Sequence, residues 1–271
     1  MQRAPIVRRV ADAGALAHAA AGEIVRVARR AVAERGRFTV ALSGGSTPRR
    51  LYGLLSDVKA PFREQIIWER SHVFFGDERH VPPDHPESNY RMAHEALLAH
   101  VPAASVHRMH GEERDPTCAA AAYEAELRRF FDVGDRGAAP PRLDLVLLGF
   151  GPDGHTASLF PGSEALEERR RWAVAVFVER LRAHRLSLTF LVLNRAREVL
   201  FLVSGSDKAE ALARVFDPAP DADPPPAARV RPEPGALLWI VDHAAASKLP
   251  LERGKRETAG GLTASNDSDD E

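Results

Sequence analysis

One run of this chain gathers the residue types that proton transfer requires. Gly149-Phe150-Gly151-Pro152-Asp153-Gly154-His155-Thr156-Ala157-Ser158-Leu159-Phe160-Pro161 follows directly on the apolar stretch Leu143 to Leu148. Its glycines permit sharp turns and the close approach of a ligand. Asp153 and His155 bring a carboxylate beside an imidazole, which exchanges protons near neutral pH. A lone histidine is most often a hydrogen-bonded structural group, but one carried on a glycine loop after a strand reads as chemistry. The same letters spell Gly-x-Gly-x-x-Gly, the pattern of dinucleotide sites. That reading wants a long helix straight after the glycines and an acid about 20 residues on to hold a ribose. Glu179 does follow a plausible strand, Trp172 to Val178, but Pro161 cuts the helix short. Proton chemistry is the preferred reading.

Three further clusters carry polar chemistry. Ser43-Gly44-Gly45-Ser46-Thr47 leads into Pro48 and a helix start, where free backbone N–H groups and the helix dipole attract an anion. A phosphate fits there, and the missing Gly-Lys-Ser/Thr ending argues against a triphosphate. The plainer alternative is a glycine turn with a Thr47 cap. Ser204-Gly205-Ser206-Asp207-Lys208 repeats the arrangement. A lysine in a first helical turn opposes the dipole by roughly 0.3 to 1 kcal/mol, so a ligand anion accounts for Lys208 better than the helix does; otherwise it is a solvated surface lysine. Asp77-Glu78-Arg79-His80 ends an apolar run. Arg79 can clamp an anionic group in a planar fork, and Asp77 can orient a donor or move a proton. Asp84-His85-Pro86-Glu87 invites a metal, but its spacing matches no common zinc pattern, and no metal is expected.

These clusters need elements to hold them. Asp12 caps a helix with apolar residues at Leu16, Ala20, Ile24, Val27 and Ala31, and Gly36 ends it. Phe38 to Leu42, His72 to Phe75, Leu143 to Leu148, Val199 to Val203 and Ala236 to Val241 read as strands. Helices are expected over Asn89 to Leu98, from Asp115-Pro116 to Phe131, and over Asp207 to Phe216. Pro218 to Pro234 reads as a surface loop. The continuously apolar strands imply burial on both faces. The expectation is an α/β chain with a Rossmann-like, mostly parallel sheet and helices on both faces, whose ligands bind beyond the carboxyl ends of the strands. All four polar clusters follow such strands, so they can form one site.

With 271 residues and 44% hydrophobic content, the chain can bury a sizeable core. A single domain is expected over residues 1–247, with a disordered acidic tail over 248–271 from which no function is expected. Lys plus Arg is 37 and Asp plus Glu is 38, a net charge of -1, so no global field draws nucleic acid or an anionic membrane. No stretch has the length of a membrane span or the form of a secretory signal. Cys118 is the only cysteine, which excludes an internal disulfide and suits a cytoplasmic location. Its alanine-rich helical setting reads as a small buried side chain.

Five motifs in series resemble the 6-phosphogluconolactonase family: Leu42-Ser43-Gly44-Gly45-Ser46-Thr47-Pro48, Gly76-Asp77-Glu78-Arg79, Pro86-Glu87-Ser88-Asn89-Tyr90, Asp153 to Pro161, and Gly205-Ser206-Asp207-Lys208-Ala209. The resemblance spans roughly residues 10 to 245. It implies a cofactor-independent enzyme of the pentose phosphate pathway, a monomer or weak oligomer, that hydrolyses 6-phospho-D-glucono-1,5-lactone. It also implies the fold of glucosamine-6-phosphate deaminases. By the same resemblance His155 is the general base, Arg79 or loop N–H groups meet the oxyanion, and Ser43 to Thr47, Arg185 and Lys208 hold the phosphate. The stretch around Arg185 departs mildly, with Ser187 where the family often has threonine and Leu191 where proline is common. A deaminase or isomerase of the same fold is the nearest rival. Such enzymes carry a glutamate soon after the histidine, whereas here the first acid is Glu164. A non-catalytic sugar-phosphate sensor would keep the binding loops without needing His155 beside Asp153.

Overall fold

The computed structural model describes residues 4–134, 139–219 and 223–250; the acidic tail beyond residue 250 lies outside the described residues. In chain order the elements are β1 (Ile6–Val10), α1 (Ala13–Arg35), β2 (Phe38–Leu42), α2 (Ser46–Ser56), β3 (Ser71–Phe75), β4 (Asp77–Arg79), α3 (Asn89–Ala96), β5 (Ser105–Val106) and α4 (Pro116–Phe130). There follow β6 (Leu145–Leu148), β7 (Ala173–Val178), β8 (Ala183–Leu188), α5 (Phe190–Leu193), β9 (Glu198–Val203), α6 (Ala209–Phe216) and β10 (Ala236–Asp242). Seven strands form one sheet in the order β1-β10-β9-β6-β2-β3-β5, with every pairing parallel.

Neighbouring residues of a strand point to opposite faces, and here both faces are dry. Val146 and Leu148 of β6 enter a core with Ala119, Tyr123 and Leu127 of α4. Leu145 and Leu147 enter a second core with Leu16, Ile24 and Val27 of α1. The expected α/β sheet with helices on both faces is what the chain forms. Helix α1 begins and ends as its residues dictate: the Asp12 carboxylate accepts from the Ala15 N–H at 2.8 Å, and Gly36 closes it in the left-handed region at φ 73°.

Other expectations are corrected. Gly76 to Arg79 is not the end of β3. Gly76 donates to the Leu42 carbonyl of β2, and its own carbonyl accepts from Leu188 of β8, so the chain crosses there into a second sheet. That sheet is antiparallel, in the order β4-β8-β7. Glu179, the possible ribose acid, lies in the turn between β7 and β8, away from the parallel sheet a dinucleotide fold would use. Helix α3 stops at Ala96, and Ser206–Lys208 is a 3-10 turn leading into α6. The proline-rich stretch is not wholly superficial: Pro226 and Ala227 are buried in a 3-10 turn, and Val230 joins the core. Cys118 is exposed, because α4 turns Ala119, Ala120 and Tyr123 inward instead.

Candidate active site

The sheet order decides what meets. Strands β9, β6, β2 and β3 are consecutive neighbours, and one of the four polar clusters follows each of them, the one after β3 forming β4. The clusters therefore share one rim, around a cavity of about 330 Å³. Ser43, Gly44, Gly45, Ser46, Thr47, Asp77, Arg79, His155, Arg185 and Lys208 all line it. Asp153 does not; it stands behind His155. Arg180, Asn89 and Ser158 also line the cavity, and sequence reasoning assigned them nothing. Arg180 comes from a hairpin turn, and no local spacing links that turn to His155.

His155 is held from several sides. Its backbone N–H donates to the Asp153 carboxylate at 3.1 Å, and its ring Nδ1 lies 2.5 Å from the same oxygen. Burial works against the charge on Asp153, but the hydrogen bonds and charge of His155, with the pull of Arg180, outweigh it and hold the carboxyl well below its ordinary range. An ionised carboxylate can only accept, so Nδ1–H is the donor to Asp153 and Nε2 is the ring nitrogen left without a partner among the described residues. Arg180 reaches the other Asp153 oxygen at 3.0 Å. The Phe160 ring packs 4.3 Å from the imidazole, with the Arg180 guanidinium 5.2 Å from the Phe160 centroid. Gly151 makes room for the ring: a Cβ there would fall 1.9 Å from His155 Nδ1. The imidazole is a quarter exposed, open enough to reach a substrate.

Asp77 is buried, and both its oxygens are engaged. Ser158 donates to one at 2.7 Å and Asn89 to the other at 3.2 Å. This ties the histidine loop, the small sheet and α3 into one wall. Glu78 is also buried, which raises its carboxyl despite hydrogen bonds from the backbone N–H groups of Tyr90, Asn89 and Arg79. It holds the start of α3 in place beneath the cavity.

The remaining wall is built for an anion. The N-cap of α2 is Gly45, with no side-chain cap bond, so the Thr47 cap is not formed and the first N–H groups stay open to the cavity. Tyr52 fixes this loop by accepting from the Ser43 N–H at 3.0 Å and donating to the Ser43 carbonyl at 2.8 Å. Burial pushes its hydroxyl far above the ordinary tyrosine value. Tyr123 grips Phe75 at the end of β3 in the same way. On the opposite wall Arg79 and Arg185 are cross-strand partners in β4 and β8. Like charges set directly opposite repel. Burial, and then the charge of Arg79, lowers the Arg185 pKa, and each arginine has a buried Nε without an acceptor among the described residues. An anion between them would relieve both defects. Lys208 completes the ring, on a loop held by buried Asp242, which accepts from Ser204 Oγ at 2.5 Å and from the Gly205 N–H.

Residues 11–239 match the family model described as glucosamine-6-phosphate isomerases/6-phosphogluconolactonase. The chain is 43% identical over 226 residues to a 6-phosphogluconolactonase of a Nostoc species, covering 82% of this chain and 88% of that protein. It is 45% identical over 224 residues to one from a Synechocystis species, covering 81% and 88%. The structure of the 6-phosphogluconolactonase from Trypanosoma cruzi superposes with a TM-score of 0.80 at 30% identity, over 93% of this chain and 99% of that one.

Proposed function

The chain belongs to the family of glucosamine-6-phosphate isomerases and 6-phosphogluconolactonases, and we propose that His155 is the general base of its reaction. That reaction is hydrolysis of 6-phospho-D-glucono-1,5-lactone to 6-phospho-D-gluconate in the oxidative pentose phosphate pathway. His155 Nε2 takes a proton from water as the water oxygen attacks the lactone carbonyl carbon. A tetrahedral intermediate forms with its charge on the former carbonyl oxygen. The imidazolium then returns a proton to the ring oxygen as the C1–O5 bond breaks. Asp153 holds the tautomer and offsets the imidazolium charge.

The observation that carries this reading is His155, backed by Asp153, on one wall of a cavity whose other walls present Arg79, Arg185, Lys208 and the open end of α2. Arg79 and nearby loop N–H groups meet the oxyanion. Ser43 to Thr47, Arg185 and Lys208 grip the phosphate, using binding energy remote from C1 to set its position. Asp77 acts by orientation, since both oxygens already accept hydrogen bonds. The deaminase rival is disfavoured because Glu164, the first acid after the histidine, lies in a 3-10 turn and does not line the cavity. The proposal includes a single domain over residues 1–247, a cytoplasmic location, and action as a monomer or weak oligomer. No helix among the described residues is long and apolar enough to cross a membrane.

His155→Ala should lower the hydrolysis rate at least about 10²-fold, the ordinary scale for a general base, while binding of 6-phosphogluconate survives. Proton release from freshly made lactone, corrected for spontaneous hydrolysis, measures the rate. Retained turnover would remove His155 from the role. Ammonia release from glucosamine 6-phosphate would favour the deaminase instead.

A further inference from the structure

Seven buried side-chain nitrogen or oxygen atoms lack a hydrogen-bond partner among the described residues, and they fall into two groups. Arg79 Nε, Arg185 Nε and Asn89 Oδ1 belong to residues of the substrate cavity. Arg35 Nη2, Arg142 Nε and Arg197 Nε belong to residues of a second cavity, and Arg195 Nε lies two residues before Arg197 in the chain. Unsatisfied buried donors are rare in folded proteins and call for an acceptor that the chain does not supply. We propose that this second group forms an anion site for a phosphorylated small molecule, separate from the substrate cavity and at the opposite end of the sheet.

Arg142 precedes β6, Arg197 precedes β9, and Arg35 ends α1. The site thus gathers at the amino ends of the strands, whereas the substrate cavity lies at their carboxyl ends. There Arg30, Arg35, Arg142 and Arg197 line a cavity of about 470 Å³ that shares no residue with the other. Its acids are Glu34, Glu198 and Glu233. Glu34 pairs with Arg35, and Glu198 with Arg26 and Arg30. Buried Asp144 bonds Arg35 Nε at 2.9 Å and the Thr39 N–H and hydroxyl. Arg197 Nε approaches Asp144 to 3.3 Å but makes no hydrogen bond there. Glu34, Glu198 and Asp144 are thus paired with Arg26, Arg30, Arg35 and Arg197, whereas Glu233 has no ion-pair partner and Arg142 and Arg195 form none among the described residues. Burial, followed by the charges of Arg197, Arg195 and Arg35, lowers the pKa of Arg142. Guanidinium groups arriving from three segments of chain suit a tetrahedral phosphate, which accepts in several directions; a carboxylate accepts in one plane.

Calorimetric titration of the full chain with pyrophosphate at low ionic strength tests this, with citrate as the carboxylate arm. The wild type should show two classes of pyrophosphate site. Arg142→Gln with Arg197→Gln should lose one class, or weaken it at least about tenfold as expected for charge-assisted contacts, and leave lactone turnover unchanged. Arg185→Gln with Lys208→Ala should lose only the other class. Should the first pair fail to fold, Arg142→Gln alone breaks no ion pair among the described residues and should weaken the same class. Pyrophosphate binding that ignores every distal arginine, or citrate binding as tightly as pyrophosphate, overturns the proposal. Because the substrate cavity is probed by separate variants, failure here does not depend on the assignment of the lactone site.

Discussion

Gly151→Ala is a sharp test of how His155 is positioned, because it adds one carbon and no charge. The added Cβ would lie 1.9 Å from His155 Nδ1, 2.1 Å from Cε1 and 2.8 Å from the Asp153 carboxylate. Ordinary contact begins at 3.4 Å, so the ring must retreat by about 1.5 Å (3.4 less 1.9) unless the loop itself moves. The Nδ1 to Asp153 bond, 2.5 Å long, does not survive such a shift, and Nε2 is carried away from the lactone carbonyl. Misplacement of a reacting group by about 1 Å costs on the order of 10²-fold in rate. The expected outcome is a loss of kcat of that size or more, with KM for the phosphorylated lactone changed by less than about threefold, since the anion wall is untouched. Stopped-flow proton release on freshly prepared lactone gives both constants. Near wild-type kcat would refute the argument that this loop positions the base, and an equal loss in kcat and in phosphate affinity would show that the damage had spread beyond it.

Other expectations follow from the same geometry. Lys208→Ala should raise KM for the phosphorylated lactone about 10- to 100-fold, the loss of one charge-assisted contact, and barely alter turnover of an unphosphorylated lactone; equal losses on both would take Lys208 out of the phosphate site. Tyr52→Phe leaves the Ser43 N–H and carbonyl without their partner, which should cost about 1 to 3 kcal/mol in urea unfolding and weaken phosphate binding; an unchanged unfolding midpoint would contradict the clamp. Asp153 is held below its ordinary value of 3.8, so its charge stabilises the fold fully above pH 3.8, and that contribution fades as pH falls through the lower folded value. The stability gap between wild type and Asp153→Asn should therefore be widest above pH 3.8 and narrow below it. It should also be modest, because the carboxylate is over a quarter exposed. A gap that widens with acid would reverse the assigned direction.

Much of the sheet was legible because its signals are local. The runs Val40 to Leu42 and Leu145 to Leu148 are apolar on successive residues, as a strand covered on both faces requires, and both lie in strands of the parallel sheet. The small antiparallel sheet was not legible as a unit. Strands β4 and β8 pair residues more than 100 positions apart, and Ala183–Leu188 mixes charged and apolar residues over a short span. The error over Cys118 has a similar origin: composition identifies a helix, but the side that faces inward depends on the partner it packs against.

For the site, the sequence by itself determined the chemical inventory: which loops carry hydroxyls, carboxylates, guanidinium groups and an imidazole, and that each follows a strand. Those properties reside in residue types and near-neighbour spacing. Only the tertiary structure decided which of them face one another. It set Arg79 against Arg185, committed both Asp77 oxygens to Ser158 and Asn89, and brought Arg180 to the far side of Asp153. Pairings of this kind depend on strand order and register, which emerge when distant segments bury their apolar faces together, and no local pattern encodes them.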